Sequence, residues 1–417
     1  MTMSEGTTGT GTGTKLVLPA LPKLLEPKPP VPKVCAAWTS GQWLPLEATG
    51  GDESDAAIAE RKRRVAQVLG QTLASDQLAV LLGLGPSAGI KGPTMSRLWE
   101  AVRAADTPLF DKMQTSVGDK TPADQTGDIE TFLSKCQQVA KAPVNPNKDA
   151  PAFISKAEQV IAKACRDFVD PNDLGDHSHL LRLVERRSAD KARPRVFTTN
   201  YDLCIEKAAA QSGILLIDGF GHESPPLFDG SNFDVDFVRR RPEARSPEYL
   251  AGIAHLIKLH GSVDWEVEGN QIVRRENPKQ PVIIYPRSDK FELSYKQPFL
   301  EARSQLQTAL RQPHLGLLIA GFSFSDAHLS EMLFTAVRRN VGLNLVLSTL
   351  GCEKHCDDFD PPNHRQKIDD LQRLAERGDS RITLLDCTFS QLVRLIPDAG
   401  TETEEDRLRR LLREVVK

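Results

Sequence analysis

Two short stretches carry residue types able to work on a small ligand. In Arg195-Val-Phe-Thr-Thr-Asn-Tyr-Asp202 the run Val196 to Thr199 is β-branched and aromatic, and reads as a buried parallel strand. It stops abruptly at Asn200-Tyr201-Asp202, and an apolar helical pattern follows from Leu203 to Ala210. A second run, Ile253 to Leu259, is mostly apolar and ends in His260-Gly261-Ser262. If both strands lie in one parallel sheet, Asn200 and His260 emerge on the edge where open α/β sheets bind ligands. An amide can orient water or a sugar hydroxyl. Histidine is the side chain suited to moving a proton near neutral pH.

Two glycine turns follow strands of the same kind. Leu78 to Leu82 runs into Gly83-Leu84-Gly85-Pro86-Ser87-Ala88-Gly89-Ile90, and Gly316 to Ala320 runs into Gly321-Phe-Ser323-Phe-Ser-Asp326. In the first, Gly83 allows a tight turn, Gly85 lets backbone N–H groups approach a pyrophosphate, and Ala88 permits close helix packing. Plainer readings stand beside these. Thr199-x-x-Asp202 and Ser323-x-x-Asp326 both have the spacing of a helix capping box, and a lone His-Gly often ends a strand.

The elements that must position these residues alternate strand and helix, which predicts an α/β, Rossmann-like fold: a mainly parallel sheet with helices on both faces and a small helical insert. Residues 1–60, with Thr-Gly alternation at 7 to 14 and prolines crowding 19 to 32, read as a flexible arm in which Trp38 and Trp43 are candidate anchors on a neighbouring subunit. Residues 61–102 open the Rossmann-like domain and 191–399 complete it. Between them, 103–190 form the insert, in which Ile129, Phe132, Leu133 and Cys136 keep helical spacing. The insert is either a lid over the ligand edge or a decoration that only packs. A third helix is expected from His177 to Arg187. The triplet Arg239-Arg240-Arg241 reads as a solvated face, or as a contact for phosphate. Residues 400–417 read as an amphipathic helix with Leu408, Leu411, Leu412, Val415 and Val416 on one stripe.

Composition narrows the function classes. Of 417 residues 40% are hydrophobic and 26% charged, and 53 Lys+Arg against 56 Asp+Glu leave a net charge of −3, which gives no support for nucleic-acid binding. No apolar run approaches the about 18 residues of a membrane span, and no basic segment with an apolar core opens the chain. The seven cysteines are scattered and odd in number, which suits reduced thiols in the cytoplasm better than a disulfide framework. Cys352, His355, Cys356 and His364 cluster in sequence, but their spacing matches no common zinc motif.

Taken in order, Gly83-x-Gly85-x-Ser87 with Gly89-Ile90, Thr199-Asn200-x-Asp202, Leu259-His260-Gly261 and Gly321-x-Ser323 resemble the motifs of the sirtuin-like superfamily, over about positions 78 to 390. Leu84 stands where the family has a small residue, and Lys91-Gly-Pro-Thr-Met-Ser-Arg97 replaces the Asp-Phe-Arg of protein-deacylating sirtuins. Those enzymes also carry two Cys-x-x-Cys pairs for zinc before the Gly-x-Ser motif, whereas no cysteine lies between His260 and Gly321. Asp128-Ile-Glu130-x-Phe-Leu133 and Gly321-x-Ser323-x-Ser-Asp326 resemble the bacterial sirtuin-like NAD hydrolases of antiphage defence, of the type that partners a HerA-type hexameric ATPase.

That resemblance implies NAD as substrate, no metal, Asn200 and His260 as catalytic residues, and Gly83, Gly85, Ser87, Thr199, Asp202, Gly321 and Ser323 at the cofactor. It also implies a cytoplasmic homo-oligomer gated by its ATPase. An NAD-dependent protein deacylase or ADP-ribosyltransferase uses the same asparagine and histidine, and a non-catalytic nucleotide sensor remains a third reading.

Overall fold

The computed structural model describes residues 35–39, 41–47, 54–188, 191–241, 248–285, 297–352 and 364–398. The C-terminal helix expected over 400–417, and His355 and Cys356, lie outside them.

Strand β3 (Gln77–Leu82) shows how the core is made. Leu78, Val80 and Leu82 point into one apolar layer while Ala79 and Leu81 point into the other, the alternation expected of any strand. Because both faces are covered, the sequence reads as a continuous apolar run. Strands β4 (Arg195–Thr198), β8 (Ile253–Lys258), β12 (Leu315–Ala320), β13 (Asn344–Ser348) and β14 (Ile382–Asp386) are built alike. With β1 (Ala36–Thr39), β2 (Gln42–Pro45) and β5 (Leu215–Ile217) they form a nine-stranded sheet in the order β2-β1-β14-β13-β12-β3-β4-β8-β5. Every pairing from β14 to β5 is parallel, and β1 alone runs against the rest, pairing antiparallel with β14 and with β2.

Helices α1 (Asp55–Leu73), α7 (Gly175–Glu185), α8 (Cys204–Ser212) and α12 (Phe389–Leu395) cover one face. Helices α9 (Phe299–Leu310), α10 (Ala327–Arg339) and α11 (His364–Glu376) cover the other. A mainly parallel sheet with helices on both faces is what the alternation of elements predicts. Among the described residues no helix is long and apolar enough to cross a membrane.

Three helices of the insert, α4 (Thr107–Ser116), α5 (Ile129–Ala140) and α6 (Ala150–Asp167), share a core with α3 (Met95–Ala105). Trp99, Phe110, Phe132 and Phe153 form its aromatic centre, with ring centroids 4.8–6.0 Å apart. That core also takes in Val263 and Ile283 from a second, three-stranded sheet, with Tyr285 just beyond it, and touches Tyr201 and Leu203, so the insert lies against the edge that carries Asn200. The second sheet is β9 (Gly261–Glu268), β10 (Gln271–Arg274) and β11 (Pro281–Ile283), all antiparallel. Strands β6 (Val238–Arg239) and β7 (Glu248–Tyr249) pair separately, with Arg239 and Arg241 both exposed and paired to Glu248.

Three boundaries differ from the sequence reading. Strands β1 and β2, within the stretch read as a flexible arm, extend the main sheet, and α1 starts at Asp55. Trp38 and Trp43 meet edge to face at 5.5 Å and pack, half-buried, against this chain's own core. At the insert, α3 belongs to the helical layer and α7 to the main sheet, because their apolar stripes face those cores.

The cysteine reading is also corrected. Cys35 and Cys387 are joined as a disulfide, their Cα atoms 4.7 Å apart across the β1–β14 pair. A separation of 352 residues hides such a pair from any spacing rule. The cytoplasmic assignment therefore loses the support it drew from scattered thiols. Cys136, Cys165, Cys204 and Cys352 are buried and outside any disulfide.

Candidate active site

The order β14-β13-β12-β3-β4-β8-β5 reverses direction at β3. From there the chain builds outward to β4 and β8, then returns on the other side through β12, β13 and β14. The crevice beside such a reversal is where open α/β sheets take ligands. One line of partners crosses the sheet at its carboxyl edge: Ser348, Ala320, Leu82, Thr198, Lys258. The ladder continues one step past it. Gly321 N–H donates to Ser348 O at 2.8 Å, Gly83 N–H to Ala320 O at 3.0 Å, Thr199 N–H to Leu82 O at 3.2 Å and Leu259 N–H to Thr198 O at 2.8 Å. Asn200 and His260 each stand two residues beyond the paired Thr198 and Lys258, on strands that neighbour at about 4.8 Å.

The two glycine turns meet face to face. A Cβ on Gly85 would stand 2.7 Å from Gly321 Cα, and one on Gly321, whose φ is +62°, would stand 2.5 Å from Gly85 Cα. Gly85 N–H donates to Gly321 O at 3.2 Å. The N–H groups of Gly83 and Gly85, expected to face a pyrophosphate, are thus taken by backbone carbonyls. These glycines let two turns close on each other. After Gly83 the chain enters a five-residue helix, α2 (Leu84–Ala88), where the sequence shows only a turn.

Asn200 is anchored into that pair of turns. Its Nδ2 donates to Gly83 O at 2.7 Å and to Ser87 Oγ at 2.8 Å, while Ser87 Oγ donates to Asp202 Oδ2 at 2.7 Å. Gly83 O can only accept, so this contact sets which way the amide lies. Oδ1 is the end left without a partner among the described residues. Asp202 is buried, and its Oδ1 accepts the N–H of Cys204, the first residue of α8. Asp202 therefore ties the turn inward. Neither capping box forms: Thr198, not Thr199, accepts the N–H of Asn200, at 3.0 Å, and Asp326 itself caps α10, its Oδ1 accepting from Leu329 N–H at 2.9 Å.

His260 faces that same Asp326, with Nε2 3.2 Å from Oδ2 and both side chains mostly buried. A carboxylate there accepts the Nε2 proton and leaves Nδ1 as the basic nitrogen. Asp326 is a candidate site residue that the sequence reading left out. The signal was the sixth position of Gly321-x-Ser323-x-Ser-Asp326, which capping alone could explain. Ile284 holds the Asn200 and His260 turns together, its N–H donating to His260 O at 2.8 Å and its carbonyl accepting from Tyr201 Oη at 2.6 Å. Burial pushes the Tyr201 phenol well up, with Cys165 and Glu130 of the insert adding to it. It acts as a neutral donor. Burial and then Asp202 push the Cys204 thiol far up as well, so it is no nucleophile.

Ser323 is half-buried and precedes Asp326 by three positions, in the loop that leads into α10. Its Oγ pairs with Ser325 Oγ at 2.9 Å, and its carbonyl accepts from His364 Nδ1 at 3.0 Å. That second contact ties the loop to the start of α11.

The expected residues thus fall into one connected set. Gly83, Gly85, Ser87, Asn200, Asp202 and Gly321 touch one another, Thr199 and His260 flank them by register, and Ser323 shares a loop with the partner of His260. Among the described residues no group of three or more His, Cys, Asp or Glu could hold a metal ion. Two surface hollows, of about 630 and 620 Å³, lie elsewhere: one between α9 and α10, the other beside α1 and the end of α12.

Residues 194–353 match the family model described as the SIR2-like domain. That span holds Asn200, Asp202, His260, Gly321, Ser323 and Asp326 but not the Gly83 turn. The search of curated proteins found no match. Among solved structures, a Sir2 homologue mutant in complex with 2'-O-acetyl ADP ribose is similar at 14% identity and a TM-score of 0.39, covering 84% of this chain and 97% of that one. Sir2Tm bound to a propionylated peptide is similar at 16% identity and a TM-score of 0.32, covering 77% of this chain and 100% of that one.

Proposed function

We propose that the chain is an NAD hydrolase that releases nicotinamide and ADP-ribose. One observation carries this reading: the amide of Asn200 and the imidazole of His260 stand at matching positions on adjacent strand ends, each held by partners that leave one atom unused. Asn200 keeps Oδ1 and His260 keeps Nδ1. Nicotinamide is a good leaving group and needs no proton. The bond from its nitrogen to C1′ of the ribose breaks, and the bonding pair leaves with the nicotinamide. Water adds to the oxocarbenium-like C1′, and its proton passes to His260 Nδ1 and then to solvent. Asn200 Oδ1 orients that water or a ribose hydroxyl.

In this reading the match over residues 194–353 supports NAD as the substrate. Hydrolysis is preferred to deacylation because the segment between His260 and Gly321 lacks the cysteines of the zinc module. The wider reading is NAD depletion in antiphage defence by a homo-oligomer docked on a HerA-type ATPase. That assembly rests on the resemblance, on the 400–417 stripe and on the half-buried Trp38 and Trp43. Light scattering, and NAD-cleavage rates with and without the ATPase, test it.

The deciding experiment incubates purified protein with NAD, with and without an acetylated peptide, and separates the products. Free ADP-ribose without peptide supports hydrolysis. Acyl-ADP-ribose formed only with peptide makes the chain a deacylase, and intact NAD under both conditions leaves a nucleotide sensor.

A further inference from the structure

Lys258 ends β8, two residues before His260, and its side chain is 3% exposed. Its Nζ reaches Asp202 O at 2.5 Å, Glu206 Oε1 at 2.7 Å, Ser262 Oγ at 2.8 Å and Tyr201 O at 3.3 Å. These acceptors come from the turn that carries Asn200, from the first turn of α8 and from the start of β9, just past His260. An ammonium has three protons to give, and here protein acceptors take the place of its water.

Burying a charge is costly, and a buried ion pair is weak evidence of stability, since apolar residues of similar volume often do as well. Glu206 makes the arrangement costlier. Its Oε2 is buried with no partner among the described residues, and burial pushes its carboxyl up against the pull of Lys258. What the ammonium does that an apolar side chain cannot is bind two turns at once through their oxygen atoms. The direct ties between those turns are few: Val263 N–H to Tyr201 O at 3.0 Å and Ser262 Oγ to Tyr201 O at 3.5 Å.

We propose that Lys258 is a positioning residue that sets the Asn200–Asp202 turn against the His260–Ser262 turn, so that the amide and the imidazole address one reacting carbon. Its kinetic consequence rests on the NAD-cleavage reading, while its structural consequence does not.

The test compares Lys258→Met with the double variant Glu206→Gln/Lys258→Met, which removes the carboxyl that the single change strands. Two readouts are taken, amide hydrogen exchange and steady-state NAD cleavage. In both variants exchange at the amides of Val263 and Cys204 rises by about tenfold or more, while that of Leu317 to Ile319 in β12 stays as in the parent. The kcat falls by about tenfold or more and KM for NAD stays within about threefold, because Lys258 touches neither glycine turn. Unchanged exchange at Val263 and Cys204 overturns the proposal. So does a raised KM with kcat intact, and so does failure of both variants to fold, since the ammonium would then serve the fold rather than the site. If the parent itself leaves NAD intact, the cleavage reading falls and the exchange measurement alone decides the role of Lys258.

Discussion

Replacing Asp326 by asparagine removes the charge facing His260 while sparing the helix that Asp326 caps. Oδ1 accepts from Leu329 N–H at 2.9 Å and Oδ2 lies 3.2 Å from His260 Nε2. Asparagine keeps an oxygen for the cap and is as good an N-cap as aspartate, so stability should change by less than about 1 kcal/mol. A hydrogen bond to a charged group contributes about 1.5–3 kcal/mol. At 3.2 Å this contact is longer than the strongest charge-assisted pairs, which lie near about 2.8 Å, so the lower half of that range applies. About 1.5–2 kcal/mol lost from the transition state corresponds to a fall in kcat of about ten- to thirtyfold. Asp326→Ala should lose the same activity and, in addition, about 1 kcal/mol of stability from the missing cap. Nicotinamide release measured by liquid chromatography and urea unfolding separate the two effects. Adding Asp326→Asn to His260→Ala should cost nothing further, because the two residues act as a unit. A folded Asp326→Asn protein with kcat within about twofold of the parent would refute the argument.

The other expectations are more direct. Asn200→Ala and His260→Ala should each lower NAD cleavage by about 10²–10⁴-fold with circular dichroism unchanged; near-full activity in both would mean the site lies elsewhere. Gly321→Ala places a Cβ 2.5 Å from Gly85 Cα at a φ of +62°, and should destabilise by about 1–3 kcal/mol in denaturant titration, whereas an unchanged midpoint would show that the turns do not touch. His255 is held down to about 4, first by burial and then by Arg195, so the folded protein keeps it neutral. Its stabilising contribution is therefore complete above about pH 6.5 and is lost as pH falls towards about 4, up to about 3 kcal/mol. Urea unfolding at several pH values should show a smaller acid loss in His255→Gln, and parallel curves would count against this. Chelators should leave the cleavage rate unchanged, and one tightly bound zinc per chain by elemental analysis would overturn the metal-free reading.

Local pattern was enough for the fold class and for the strand ends that carry Asn200 and His260. Strands buried on both faces must be mostly apolar, so Leu78 to Leu82, Ile253 to Leu259 and Gly316 to Ala320 announce a parallel sheet without any knowledge of their neighbours. The polar clusters that end such runs fall at strand ends, which marks Asn200 and His260, while His255 stays buried within β8. Partnership across the sheet is another matter. Which strand lies beside which depends on the packing of all layers at once, and no periodicity in the chain records it. Only the tertiary structure puts Asp326 against His260, Gly85 against Gly321, Lys258 between two turns, and Cys35 beside Cys387 across 352 residues. It also places Trp38 and Trp43 in a hairpin at the edge of the main sheet, because so short a hairpin among prolines carries too little pattern to show which surface it will pack on.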